Sequence, residues 1–344
     1  MSLYNAQEGS ILILSQGSGE TTTDIVMEYL FRMGLSPLRL NGSDLDSQGN
    51  FSIVLKTGEA EIDIEEFKVN LHQIQVVWFR RWSERQPFQG INMLSENSPE
   101  SHDVSQRAAE HLSSELRRIS SFLFSELKHA IWLSHPSTAS PDKLRTLKLA
   151  ASVGLSTPHT LVTTSRKRLL QFAHHHPLIT KAIGDVDFFQ IGFTAHLMYT
   201  QELSADLLDA LPEKFFPSLF QEKLEKRYEL RIFYLAGNCY TSAIFSQSDP
   251  KTSIDFRKYN HKKPNRVVPY KLEADMEDKI RHLMDLLELE TGSLDLIKTI
   301  DGRLVFLEVN PIGQFGMVSS PCNYHLEHRV AEFLAEKINN ARPR

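Results

Sequence analysis

Residues 294–298 and 304–309 are two apolar runs joined across Asp301-Gly302, the strongest short-range hairpin signal in the chain. Polar residues stand in them at few places: Asp295 and the closing Lys298 in the first run, Glu308 and then Asn310 in and after the second. Side chains alternate between the two faces of a strand. Unbroken alternation predicts Leu304, Phe306, Glu308 and Asn310 on one side, Val305, Leu307 and Val309 on the other, and the face of Asp295 opposite. Such a hairpin admits few architectures, because its apolar side must be covered while its acidic side needs a partner. Three oxygen donors converging on one sheet face suit Mg²⁺, with room left for phosphate oxygens. The alternative is a strand that ends in solvent. Against it, Glu308 is bracketed by Leu307 and Val309, and an unpaired carboxylate is costly to bury.

The chain has 344 residues, a length for two or three packed units. Its 38 basic and 43 acidic residues give a formal charge of −5, which argues against nucleic-acid binding through bulk charge. No apolar run approaches the roughly 20 residues of a membrane span. No basic segment precedes the apolar residues 11–14, so a secretory signal is not expected. Cys239 and Cys322 build neither a disulfide framework nor, alone, a structural zinc site, which points to a cytoplasmic, reducing setting. Neither has a clear general-base partner in the sequence.

Strand 11–14, the turn 15–19, a helix from residues 21–24 to Gly34 and strand 38–40 read as the opening of an α/β unit. Residues 51–56 and 61–64 read as a polar hairpin, and strand 75–79 delivers Arg80 and Arg81 at its carboxyl end. Helical spacing follows over 105–127. The turn-rich stretch 134–141 is the best boundary, with Ser140 expected as N-cap and Pro141 at the first position of the next helix. Beyond it, strands are expected at 160–163, 178–182, 188–191, 195–200, 216–221, 229–235 and 240–245. Helices are expected at 166–174, around Met276 to Leu287, and at Leu326 to Ile338. The chain divides into 1–133, 134–205 and 206–344, a leading α/β domain and two α+β halves able to close on a ligand.

Lys181 ends an apolar strand beside Gly184, a place where an ammonium can meet polyphosphate. Lys143 opens a helix after the boundary, where an isolated lysine is ordinarily solvated. Gln221, Glu222, Lys223 and Leu224 leave a strand as a hinge that can offer backbone groups to a purine edge; an ordinary strand-exit loop is the alternative. Arg231 alternates with Leu230 and Ile232 and so points away from their face, and Arg257 lies in a further basic stretch, 255–259. The planar fork of arginine suits a phosphate or an acyl phosphate. His174-His175-His176 reads as a solvated helix end, since consecutive residues do not share a helix face. Gly17-Ser18-Gly19 completes neither a dinucleotide fingerprint nor a Walker loop.

Residues 141–144, 179–181 and 221–224, Arg231, Asp295 and Glu308-x-Asn310 follow the order of an ATP-grasp ligase. Residues 77–82, 255–259, 308–319 and 321–324 more narrowly resemble the graspetide (microviridin-type) macrocyclases, in particular their grasp-with-spasm branch. The resemblance covers nearly the whole chain and implies a three-part ATP-grasp fold. It implies an ADP-forming ligase in which ATP activates an Asp or Glu side chain of a precursor peptide as an acyl phosphate. A Ser or Thr hydroxyl or a Lys amine then closes an ω-ester or ω-amide ring. It implies Mg²⁺ on Asp295, Glu308 and Asn310, the α- and β-phosphates on Lys143 and Lys181, and the γ-phosphate on Arg231. Arg231, Lys181 and Arg257 form the implied catalytic set, residues 221–224 and Asn310 complete the ATP site, and a homodimer is implied. Arg80 and Arg81 are expected either to receive an acidic segment of the precursor or to form a salt bridge between domains. The chain departs from other ATP-grasp sequences in its glycine-rich loop, reduced to Gly184 amid Asp185 and Asp187. Two rival readings are an amino-acid or peptide ligase of the glutathione-synthetase or ribosomal-protein glutamate-ligase type, and a nucleotide-binding regulatory module without turnover.

Overall fold

Fully apolar strands bounded by helices build a parallel sheet at the start of the chain, as the α/β pattern requires. A computed structural model describes residues 10–17, 19–45, 51–56, 58–64, 67–82, 99–184, 188–191, 194–197, 200–248 and 264–341. The chain forms two units, residues 1–135 with 325–344, and residues 136–324.

The first unit contains β1 (Ile11–Ser15), α1 (Thr21–Arg32), β2 (Leu38–Asn41), β3 (Phe51–Lys56), β4 (Glu59–Ile64), β5 (Phe67–Asn70), β6 (Val76–Phe79), α2 (Pro99–Glu126) and β7 (Ile131–Leu133). Strands β2, β1, β6 and β7 lie in that order, every neighbouring pair parallel. All residues of β1 and β6 are buried, which explains their unbroken apolar runs. The expected hairpin gains a third strand and becomes the antiparallel sheet β3-β4-β5. The chain's last helix, Leu326–Ala341, belongs to this unit and packs on α1 and β6. Leu326, Val330, Ala331, Leu334 and Ile338 are its buried stripe. The sequence grouped that helix with the segment before it in the chain; the contacts group it with the opening domain.

The second unit begins with α3 (Lys143–Ser152), β8 (Thr160–Ser165), α4 (Arg166–Ala173), β9 (Leu178–Lys181), β10 (Phe188–Ile191), β11 (Thr194–Leu197), β12 (Gln201–Glu202), α5 (Ala205–Ala210) and β13 (Lys214–Glu222). It continues with β14 (Lys226–Leu235), β15 (Asn238–Phe245), β16 (Arg266–Tyr270), α6 (Ala274–Leu286), β17 (Thr291–Thr299), β18 (Leu304–Asn310) and α7 (Gly316–Cys322). The N-cap of α3 is Asp142, whose Oδ1 accepts the Arg145 N–H at 2.6 Å, not the expected Ser140. Strands β12-β9-β13-β8 form one antiparallel sheet and β16-β15-β14-β17-β18 a second. One face of the second sheet packs Leu230, Ile232, Leu294, Leu296, Phe306 and Val309 against α3 and α6. Among the described residues, no helix is long and apolar enough to cross a membrane.

The β17–β18 hairpin departs from simple alternation. Asp295 pairs with Glu308, but Leu296 pairs with Phe306, leaving Leu307 as an extra residue. This bulge shifts the alternation by one position. Phe306 enters the core, fully buried beside Leu296, so it does not share a face with Glu308 as the sequence reading expected. Glu308 still faces Asp295.

Candidate active site

The face of the five-stranded sheet opposite the core carries Arg231, Ser293, Asp295, Glu308 and Asn310. Arg231 lies directly across β14–β17 from Asp295 and donates from Nη1 to Asp295 Oδ2 at 2.6 Å. Asp295 lies across β17–β18 from Glu308, and Ser293 from Asn310. The three predicted oxygen donors therefore sit on neighbouring strands of one face. Arg231 Nε and Ser293 Oγ are buried with no hydrogen-bond partner. A buried polar atom left so costs about 1–3 kcal/mol, which a ligand at this face would relieve. Gly313 passes close above: a Cβ there would lie 2.9 Å from Ser293 Cβ and 3.1 Å from Arg231 Nη2.

The four-stranded central sheet, β12-β9-β13-β8, contributes one lysine and the helix α3 another. Lys181, at the end of β9, holds Nζ 3.5 Å from Glu308 Oε2. Lys143, the first residue of α3, donates to the carbonyls of Ala182 at 3.2 Å and Gly184 at 2.8 Å. Both ammonium groups thus gather at the end of β9. Asp185 and Asp187, flanking the reduced glycine loop, and Arg257 with the rest of 255–259 lie outside the described residues.

The hinge is more committed than its sequence suggested. Gln221 and Glu222 are the last residues of β13, not a loop. Gln221 is buried and donates from Nε2 to Thr160 Oγ1 at 2.9 Å. Glu222 accepts the backbone N–H of His159 at 3.2 Å, and its own N–H donates to the His159 carbonyl. The Lys223 backbone N–H donates to Pro177 O, and its Nζ to Glu202 Oε1 at 2.6 Å. Only residues 223–225 bridge β13 to β14, with Leu224 at their centre.

Sequence reasoning missed Glu229, two residues before Arg231 and on its face. Its buried carboxylate accepts from Lys226 Nζ and from Ser246 Oγ at 3.0 Å. Burial pushes its carboxyl above the usual range, Lys226 and Ser246 pull it back, and the charge of Asp295 adds to the rise. The one available signal was a carboxylate in register with Arg231 inside an apolar strand.

In the first unit, Arg80 and Arg81 converge on Glu20. Arg80 Nη2 lies 3.5 Å and Arg81 Nε 3.2 Å from its carboxylate oxygens, and Thr23 Oγ1 donates to it at 3.0 Å. The Arg80 side chain is 3% exposed and its guanidinium lies 5.3 Å from the Trp78 ring centre. Burial pulls its pKa down to about 10 in spite of Glu20. The Arg81 side chain is 37% exposed. The salt bridge expected between domains is instead made inside the first unit. Cys239 is no nucleophile candidate, since burial pushes its thiol up to about 12.

The donor set fits Mg²⁺: two carboxylates and an amide oxygen, with Arg231 and Lys181 already answering the two negative charges. Residues 10–137 match the family of the MvdD pre-ATP grasp domain. Among curated proteins, none matches the chain at a significant level. Three solved structures resemble it along nearly its whole length. The macrocyclase MdnC from Microcystis aeruginosa MRC, bound with precursor peptide MdnA, is 22% identical with a TM-score of 0.78, covering 95% of this chain and 99% of that one. A Chryseobacterium gregarium RiPP-associated ATP-grasp ligase, in complex with ADP and a leader and core peptide, is 25% identical with a TM-score of 0.78, covering 97% of each chain. The ATP-grasp ligase PsnB, complexed with a phosphomimetic variant of a minimal precursor, Mg and ADP, is 17% identical with a TM-score of 0.73, covering 96% and 99%. Residues 10–137 thus match the MvdD pre-ATP grasp domain, and the chain as a whole shares the ATP-grasp fold of these solved ligases.

Proposed function

We propose that the chain is an ADP-forming ligase that closes side-chain rings in a ribosomally made precursor peptide. The observation that carries this reading is the facing pair Asp295–Glu308, flanked by Arg231 and Lys181, on one sheet face. A carboxylate is a poor electrophile until its oxygen becomes a leaving group, and phosphorylation by ATP supplies one. Mg²⁺, when bound by Asp295, Glu308 and Asn310, neutralises phosphate oxygens.

The chain's own residues do the rest. Arg231 presents a planar fork and a spare Nε donor to the transferring phosphoryl group and the acyl phosphate. Lys143 and Lys181 hold the α- and β-phosphates from the end of β9, and Arg257 joins Arg231 and Lys181 in the catalytic set. The segment 221–224 covers the adenine, with Leu224 against the ring. Arg81 receives an acidic stretch of the peptide, held in place by Arg80 and Glu20. Holding the hydroxyl or amine beside the activated acyl group supplies roughly 7–11 kcal/mol of the barrier. The working form is a cytoplasmic homodimer, and each subunit divides along its sequence into 1–133, 134–205 and 206–344, with the terminal helix 326–341 returning to the first part.

Incubation with a cognate precursor, ATP and Mg²⁺ tests the reading by mass spectrometry. The peptide is expected to lose the mass of one water per ring while ADP accumulates in equal number. ADP formed with a free amino acid and an unchanged peptide mass would support an amino-acid ligase instead.

A further inference from the structure

Three strand ends of the central sheet bring His159, His176 and Glu222 together. His159 precedes β8, His176 stands two residues before β9, and Glu222 closes β13. Register does the gathering: Gln221 pairs with Thr160 and Glu222 with Leu178. Glu222 Oε2 lies 3.5 Å from His176 Nδ1, while Oε1 accepts the His159 backbone N–H at 3.2 Å. The two imidazole rings stack with centres 4.8 Å apart and planes 22° from parallel, and the Phe172 ring backs His176 at 5.7 Å. One ligand atom from each of the three residues lies within 4.8 Å of the others. His176 and Glu222 are half-buried and His159 is exposed, so the cluster opens to solvent.

We propose that this cluster is a second metal site, one that takes Zn²⁺ or a similar transition-metal ion. Two imidazoles and one carboxylate are a donor set that Zn²⁺ accepts with one position left for water. Mg²⁺ prefers oxygen donors, so the two sites of the chain select different ions by ligand chemistry. Bonds of about 2.0–2.1 Å place tetrahedral ligands about 3.4 Å apart. The His176–Glu222 separation already matches one such edge; the exposed His159 ring has to close and to turn out of the stack, because a ligating imidazole holds the ion in its own plane. A bound ion ties the ends of β8, β9 and β13 at the point where the chain enters residues 223–225.

Calorimetric titration of Zn²⁺ into the untagged, chelator-treated chain, in excess Mg²⁺, tests this. One ion per chain is expected, together with a rise in Tm. His159→Ala and His176→Ala should each weaken Zn²⁺ binding by about tenfold or more. His174→Ala combined with His175→Ala should leave it unchanged. No binding to the wild type, binding equal in wild type and His176→Ala, or loss in the His174/His175 double variant would overturn the site. Glu308→Gln should still take up one Zn²⁺, so a failure of the nucleotide reading shows separately.

Discussion

Gly313 lies so close to Arg231 and Ser293 that a single methyl group has nowhere to go. Gly313→Ala is expected to push the Arg231 guanidinium off Asp295 and lower kcat for ADP formation by about tenfold, roughly 1.4 kcal/mol. Its KM for the peptide should change little; an unaltered kcat would mean that the Arg231 position is not critical. Glu308→Gln keeps shape while removing one charge from the facing carboxylate pair. A fall of about 100-fold in ADP formation, with Tm retained, is expected from steady-state kinetics and thermal unfolding. Most of this site was legible as residue types: Asp295, Glu308 and Arg231 each break an apolar strand. Glu229 was not, because its meaning depends on Lys226 and Ser246 closing around it, and no spacing rule announces a partner 17 residues away.

At the scale of elements, the β17–β18 hairpin shows what turn chemistry fixes and what it leaves open. Asp-Gly placed the turn correctly, with Gly302 at φ 90°. Asp301 accepts from Thr299 Oγ1 and, at 2.8 Å, from Arg303 Nε, and these bonds hold its carboxyl at about 2, below 3.8. A depressed carboxyl lends stability above its unfolded value and loses it as pH falls through the folded one. Asp301→Asn should therefore cost stability near neutral pH and converge with the wild type below pH 2–4, as read by Tm across that range. The bulge at Leu307 could not be read, since no glycine marks it. Packing Phe306 into the core while keeping Glu308 opposite Asp295 requires one extra residue between them. The cap of α3 was misplaced by two residues for a related reason. Ser140 and Asp142 both qualify as N-caps by type, and only the path of the chain decides which one reaches a free amide.

On the scale of the molecule, the two units carry separable reporters. The chain's three tryptophans, Trp78, Trp82 and Trp132, all belong to the first unit. Leu334→Ala removes a fully buried side chain from α8, the terminal helix Leu326–Ala341. It is expected to cost about 2–5 kcal/mol. The denaturant midpoint seen by tryptophan fluorescence should fall, while nucleotide affinity of the second unit holds. Equal loss in both readouts would mean that the units unfold as one. The alternation of strands and helices made the α/β opening legible. The return of α8 was not, because an amphipathic stripe states that a helix must be covered and not by what. That return sets an order of events during synthesis. At roughly 5–20 residues per second, the whole second unit emerges from the ribosome before the helix that covers α1 is available. The first unit therefore matures after the second, exposing apolar surface to chaperones for tens of seconds while residues 136–324 are already complete.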